Sequence, residues 1–215
     1  MPSAEWRVKT RHSPLGIRIS LTMPPSRVTE GAVPAEKLLQ PFPRIALPIR
    51  PPFPPMEAKL VDEIPPTEKD EGEWLYEPKW DGFRCLAFRR GDQVLLQSKA
   101  GQTLARYFPE LVEALLLLKQ SQFVLDGEIV IVQKGLVSFD DLLLRIHPAT
   151  SRVKKLAVET PATFLAFDLL VDSRGRSLIE KPLVERRAAL ENFFAHFPGG
   201  GQALTPVLPF RGART

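Results

Sequence analysis

The sequence predicts an α+β fold built on antiparallel sheets, and three observations carry that prediction. Between residues 73 and 132, short apolar runs are separated by Asp-Gly and Gly-Asp turn signals, the pattern of hairpin strands. Helix-start signals stand at Pro109, Ser138 and Pro182, well apart from one another. Strands and helices also fail to alternate regularly, as βαβ units of a parallel sheet would.

The elements follow in order. Trp74, Leu75 and Tyr76 lead a strand into Pro78 and Lys79, and after Asp81-Gly82 a second strand covers 83–88. Gly91-Asp92 turns the chain, and Val94, Leu95 and Leu96 resume the sheet. Residues 108–119 read as a helix with Pro109 in its first turn, where a missing N–H costs little; within it, Leu115 to Leu118 read as a buried stripe. A long strand spans 123–132 around Asp126-Gly127-Glu128. Ser138 then caps a short helix to Arg145, with Asp140 and Asp141 suiting the helix dipole. Residues 164–171 form another apolar strand, and Pro182 opens a helix that ends near Ala195, before Pro198 and the triple glycine 199–201. His147 reads as a loop residue. Arg152, Lys154 and Lys155 read as a basic loop or a phosphate-tracking patch.

Composition bounds the function. A chain of 215 residues with 44% hydrophobic and 25% charged side chains is globular rather than wholly disordered. No apolar run approaches the roughly 20 residues of a membrane span. The single cysteine, Cys85, excludes an internal disulfide framework and a Cys-rich zinc site, and a reducing, cytoplasmic setting fits best. The net charge of +4 is unevenly spread. Residues 1–55 hold 12 of the 22 prolines and a net +5, whereas residues 56–215 carry a net −1. The expected organisation is a Pro-rich basic leader over 1–51, extended or disordered and laid along the domain at its end, a domain over 52–198, and an irregular tail over 199–215. Overall charge supplies no argument for nucleic-acid binding, because it resides in the leader.

The segment richest in chemistry is Glu77-Pro78-Lys79-Trp80-Asp81-Gly82-Phe83-Arg84. Four charged side chains crowd between strands that otherwise bury their residues. A lysine attacks as a nucleophile only when deprotonated, which calls for desolvation or nearby cationic charge. On local composition alone, Lys79 could equally be a solvated hairpin residue. Likewise Glu128 could be a strand-edge carboxylate and Phe167 a core residue, while Asp126 and Asp168 fit structural bonds to backbone or a basic neighbour.

Lys79-x-Asp81-Gly82-x-Arg84 resembles the first motif of the covalent nucleotidyltransferases, which include ATP-dependent DNA ligases, RNA ligases and capping guanylyltransferases. Its companions follow in the family's order: Ser98-Lys99-Ala100-Gly101, Leu125-Asp126-Gly127-Glu128, 164–170 around Phe167, and Pro182-Leu183-Val184-Glu185-Arg186-Arg187. The likeness covers residues 52–195 and is strongest to bacterial ATP-dependent DNA ligases of the end-joining type, including the Pro-Met-Glu-Ala lead-in at 55–58.

That resemblance implies an antiparallel-sheet, ATP-grasp-like adenylation core using ATP and Mg²⁺. It implies Lys79 as the nucleophile, Glu77 at the adenine amino group, Arg84 at the ribose, Phe167 stacked on the base, and Glu128 at the ribose or the metal. Lys99 stands where the family usually has Arg; it keeps the charge and loses the bidentate fork. The implied partners are nicked double-stranded DNA and end-joining repair proteins near the nucleoid, with no membrane. Residues 199–215 show no counterpart of the family's later metal-binding and lysine motifs, so the resemblance also predicts an incomplete core with impaired adenylation. An RNA ligase or capping-type enzyme and a non-catalytic nucleotide- or partner-binding fragment are the rival expectations.

Overall fold

The computed structural model describes residues 6–9, 42–56, 76–195 and 202–204. The expectations for Glu57-Ala58, for Trp74-Leu75, for Pro198 and the glycines 199–201, and for the rest of the leader and tail lie outside the described residues.

Five strands form the body of the main sheet in the order β4 (Gln93–Ser98), β3 (Phe83–Arg90), β5 (Gln122–Gln133), β7 (Ala162–Val171) and β8 (Gln202–Leu204). The short β6 (Leu136–Val137) folds back on the end of β5. The first four strands pair antiparallel, as expected from the hairpin pattern. The β3–β4 connection turns at Gly91-Asp92, with Arg90 facing Gln93 in register.

Among the described residues, four α-helices accompany the sheet: α1 (Pro109–Leu117), α2 (Phe139–Leu144), α3 (Thr150–Glu159) and α4 (Leu183–Phe194). Pro109 and Ser138 begin helices as predicted, and the Ser138 hydroxyl accepts from the Asp141 backbone N–H at 3.3 Å. Pro182 is the N-cap of α4. Leu111, Leu115, Leu142, Leu190 and Phe193 bury α1, α2 and α4 against one sheet face, over Cys85, Ala87, Leu96, Phe123, Leu125 and Phe164. Within the predicted stripe, Leu115 and Leu118 are buried and Leu117 points to solvent. Burial pushes the Cys85 thiol well above its ordinary pKa, so the residue packs as a small apolar group.

Arg145 is fully buried and ties three helices together. Its guanidinium donates to both Glu110 carboxylate oxygens at 2.6 and 2.9 Å and to the carbonyls of Tyr107 and Thr160, and it lies over the Phe108 ring. Those contacts connect the start of α1 with the ends of α2 and α3.

Three elements differ from the sequence expectation. Arg152, Lys154 and Lys155 lie on α3, not on a loop; Val153, Leu156 and Ala157 at helical spacing turn one face inward while the basic residues stay exposed. Within the supposed irregular tail, Gln202–Leu204 pairs parallel to β7. A parallel neighbour needs a long crossover, and α4 supplies it. Finally, Trp6–Lys9 forms a four-residue strand, β1, parallel to β2 (Tyr76–Lys79). Four residues are too few to show a period.

The opposite sheet face is covered by the end of the Pro-rich segment. Ile45, Leu47 and Ile49 alternate with exposed neighbours, and their side chains are buried against Leu86, Phe88, Leu95, Val124, Leu170 and Val171. Gln97, buried on β4, locks this strap by a two-way amide pair. Its side chain accepts from the Phe53 N–H at 2.8 Å and donates to the Phe53 carbonyl at 2.6 Å. The strap is therefore part of the core. Leu47→Ala should lower unfolding free energy by about 2–4 kcal/mol, the usual cost of truncating a buried leucine. A denaturant titration showing a loss within about 0.5 kcal/mol, as for a surface site, would contradict this placement.

Candidate active site

One end of the strap-covered face is polar. In antiparallel register, Arg84 on β3 faces Glu128 on β5, and Asp126 on β5 faces Asp168 on β7. Alternation along β3 and β5 puts Arg84, Asp126 and Glu128 on the same face as Leu86 and Val124. The apolar strap thus ends where the charges begin.

Arg84 organises this end. Its Nε and Nη2 donate to the two Asp126 carboxylate oxygens at 2.8 and 2.6 Å, and Nη2 also donates to the Met56 carbonyl at 2.8 Å. The guanidinium carbon lies 4.8 Å from the centre of the Phe167 ring. Burial alone would depress the Arg84 pKa. The hydrogen bonds and charge of Asp126, with the charges of Glu128 and Asp168, outweigh it and hold the guanidinium above its ordinary value.

Two glycines permit the close approach of strands here. A Cβ at Gly82 would lie 2.2 Å from the Ile129 carbonyl oxygen and 2.8 Å from Glu128 Cγ. The Asp81-Gly82 turn therefore presses directly on β5 beside Glu128, with Lys79 three residues before Gly82 at the end of β2. A Cβ at Gly127 would lie 2.5 Å from the Phe164 ring and 2.6 Å from the Leu165 carbonyl oxygen. The β5–β7 register shifts next to this glycine.

Helix α4 supplies the remaining charges. Arg186 Nε donates to both Asp168 oxygens at 3.0 and 3.1 Å, and Arg187 Nη1 donates to Glu77 Oε1 at 2.8 Å. Both arginines are buried, with side-chain exposures of 5% and 7%. The sequence marked them only as part of a helix motif and gave them no role. Two adjacent buried arginines demand carboxylate partners, and neither their burial nor those partners can be read without the fold.

Lys79 is half-buried, Glu77 is paired with Arg187, and Glu128 is nearly buried within the sheet rather than at a strand edge. Phe167 is buried beside Arg84. Asp126 and Asp168 each bond a basic neighbour, in keeping with the structural reading of both. Lys99 is exposed on the turn after β4. Because Ser98 faces Cys85, that turn stands at the same sheet end as Arg84. His147 lies between α2 and α3, where its Nδ1 accepts from the Ala149 N–H. Among the described residues, no cluster of three or more His, Cys, Asp or Glu could hold a metal ion.

Lys79 ends a short strand three residues before Gly82, whose turn packs on β5 beside Glu128, at the end of a mixed α/β, mainly antiparallel sheet where Arg84 and Arg186 pair with Asp126 and Asp168. Residues 55–205 match the ATP dependent DNA ligase domain family, and the chain belongs to that family. It is 50% identical over 148 residues to DNA ligase C1 of Mycolicibacterium smegmatis, an alignment covering 67% of this chain and 41% of that protein. Identity to DNA ligase C of Mycobacterium tuberculosis is also 50% over 148 residues, covering 67% of this chain and 38% of the other. The solved ligase domain of M. tuberculosis LigD superposes with a TM-score of 0.50 at 30% identity, over 65% of this chain and 41% of that one. The chain thus spans about two fifths of the length of these curated relatives. The family read from the Lys79 motif and its companions is the family found, and the antiparallel α/β architecture agrees. No helix among the described residues is long and apolar enough to cross a membrane.

Burial distinguishes the charge pairs energetically. Asp126→Ala leaves the Arg84 guanidinium without its main counter-charge and should cost about 3 kcal/mol of stability, as breaking a buried pair does. Glu185→Ala, which removes the exposed Lys181–Glu185 pair at 3.3 Å, should cost less than about 1 kcal/mol. Equal losses in parallel chemical denaturation would contradict the structural role of the Arg84–Asp126 pair.

Proposed function

We propose that this chain is the nucleotide-activating part of an ATP-dependent DNA ligase, with Lys79 as the covalent nucleophile. The observation carrying this reading is the setting of Lys79. It ends the strand that Glu77 ties to α4 and immediately precedes the turn packed beside Glu128, in a chain of the ATP-dependent DNA ligase domain family.

The chemistry follows from the side chains. Lys79 Nζ, once deprotonated, attacks the α-phosphorus of ATP; the P–N bond forms as the bond to pyrophosphate breaks, leaving a lysyl–AMP phosphoramidate. Glu77 accepts a hydrogen bond from the adenine 6-amino group, and Phe167 supplies apolar surface for the base. Arg84, pre-oriented by Asp126 and Met56, donates to ribose oxygens. Lys99 adds positive charge at the same sheet end. Glu128 suits the ribose or Mg²⁺, since that ion is commonly held by one or two carboxylates together with substrate phosphates. Mg²⁺, when bound, screens phosphate charge during transfer. In the full reaction, a 5′-phosphate oxygen at a nick in double-stranded DNA takes the AMP and Lys79 regains its proton. The adjacent 3′-hydroxyl then displaces AMP and seals the strand. We place this activity in DNA repair in the bacterial cytoplasm, with end-joining proteins as partners.

Incubation with α-labelled ATP and Mg²⁺ tests the assignment. The chain should acquire an acid-labile, alkali-stable label from ATP and none from GTP, and Lys79→Ala should acquire none. Label persisting in Lys79→Ala would sink the nucleophile assignment. Equal labelling by GTP would favour a capping-type enzyme, and no label on the unaltered chain would favour a non-catalytic nucleotide- or partner-binding fragment.

A further inference from the structure

The two consecutive arginines of α4 join parts of the site that lie far apart in sequence. Arg186 grips Asp168, the residue following Phe167, and also donates to the Lys181 carbonyl at 2.6 Å. Asp168 is fixed from its own strand as well, accepting from the Leu169 N–H at 2.8 Å. Arg187 grips Glu77 on β2 and is itself steadied one helical turn on by Glu191, at 2.7 Å from its Nε. Phe167 and Glu77, 90 residues apart, are therefore connected through two adjacent helix residues. Glu77 and Lys79 also share a face of β2, being two residues apart on a strand.

We propose that Arg187 is a positioning residue for base selection, holding the Glu77 carboxylate at a fixed place relative to the Phe167 platform. The inference rests on the reading of Glu77 and Lys79 given above. A carboxylate accepts from the 6-amino group of adenine and is repelled by the 6-carbonyl oxygen of guanine. That discrimination requires the carboxylate to stay where the exocyclic group arrives. Glu77 lies on a short strand, and a long flexible side chain left to itself would sample several rotamers. The Arg187 Nη1 bond to Glu77 restrains that freedom, with the same guanidinium held through Nε by Glu191, and the neighbouring Arg186 ties the helix to the strand bearing the platform. Arg187 thus acts through Glu77.

The test is a double-mutant cycle on nucleotide affinity, using the full chain and calorimetric titration with Mg-ATP and Mg-GTP. Thermal melting of each variant comes first. The unaltered chain should prefer ATP. Arg187→Gln should weaken ATP binding about tenfold, the order of one lost hydrogen bond to a charged group, and leave GTP binding unchanged. Glu77→Gln should narrow the ATP/GTP preference similarly, and the double variant should be no worse than either single one, because the two residues act as one unit. Arg187→Lys, which keeps the charge, should recover part of the preference; it carries the test if Arg187→Gln does not fold.

An unchanged ATP/GTP ratio in the Arg187 variants would overturn the inference. So would equal weakening of both nucleotides, or losses that multiply in the double variant; the proposed function would survive any of these. If the unaltered, folded chain binds neither nucleotide, the proposed function falls and the inference falls with it.

Discussion

The structure depends on pairing carboxylates that the sheet buries. Asp126 and Asp168 face each other on β5 and β7, and Glu128 follows two residues along. Like charges opposed in a sheet repel, and an unpaired buried carboxylate is costly. Arginines from two directions resolve this. Arg84 reaches across from β3 to Asp126, and Arg186 descends from α4 to Asp168. Each also fixes something else, because a guanidinium has five donors. Arg84 holds the Met56 carbonyl, and with it the end of the strap. Arg186 holds the Lys181 carbonyl at the approach to α4, setting Arg187 against Glu77.

Steric constraint completes what charge begins. Neither Gly82 nor Gly127 leaves room for a Cβ. At Gly82 the contact brings the turn after Lys79 onto β5 beside Glu128. At Gly127 it lets β7 close over β5 where their register shifts. Two residues without side chains thus set how closely the turn after Lys79 and strand β7 approach β5.

Much of this was legible in the sequence because it is local. Turn signals at Gly91-Asp92, the Ser138 cap and Pro109 each act within a few residues. The Lys79 motif and its companions were recognisable by order and spacing, and they located the sheet end where the charges gather. What escaped depends on distant partners. Prolines at 43, 48, 51, 52, 54 and 55 marked the end of the leader as an extended segment laid along the domain, but not that Ile45, Leu47 and Ile49 complete the core of one sheet face. The anchor for that segment, Gln97, is an ordinary polar residue until its partner at Phe53 is known. Helix α3 shows Val153, Leu156 and Ala157 at helical spacing, but the basic residues among them drew the reading to a loop, and β8 has three residues, too little pattern to read. The partners of Arg186 and Arg187 lie 18 and 110 positions away, separations no periodicity reports.

The arginine–carboxylate pairs form among the chain's own side chains, and the proposed function takes them as contacts set in advance of the nucleotide. Preorganised contacts are effective because they require no rearrangement when charge develops. The most direct measurement is a crystal structure of the chain with bound AMP. Preorganisation predicts that Arg84–Asp126 and Arg187–Glu77 persist at their present distances, with β2 unmoved against β5. A bound structure in which either pair has opened, or β2 has shifted to form new ones, would contradict it.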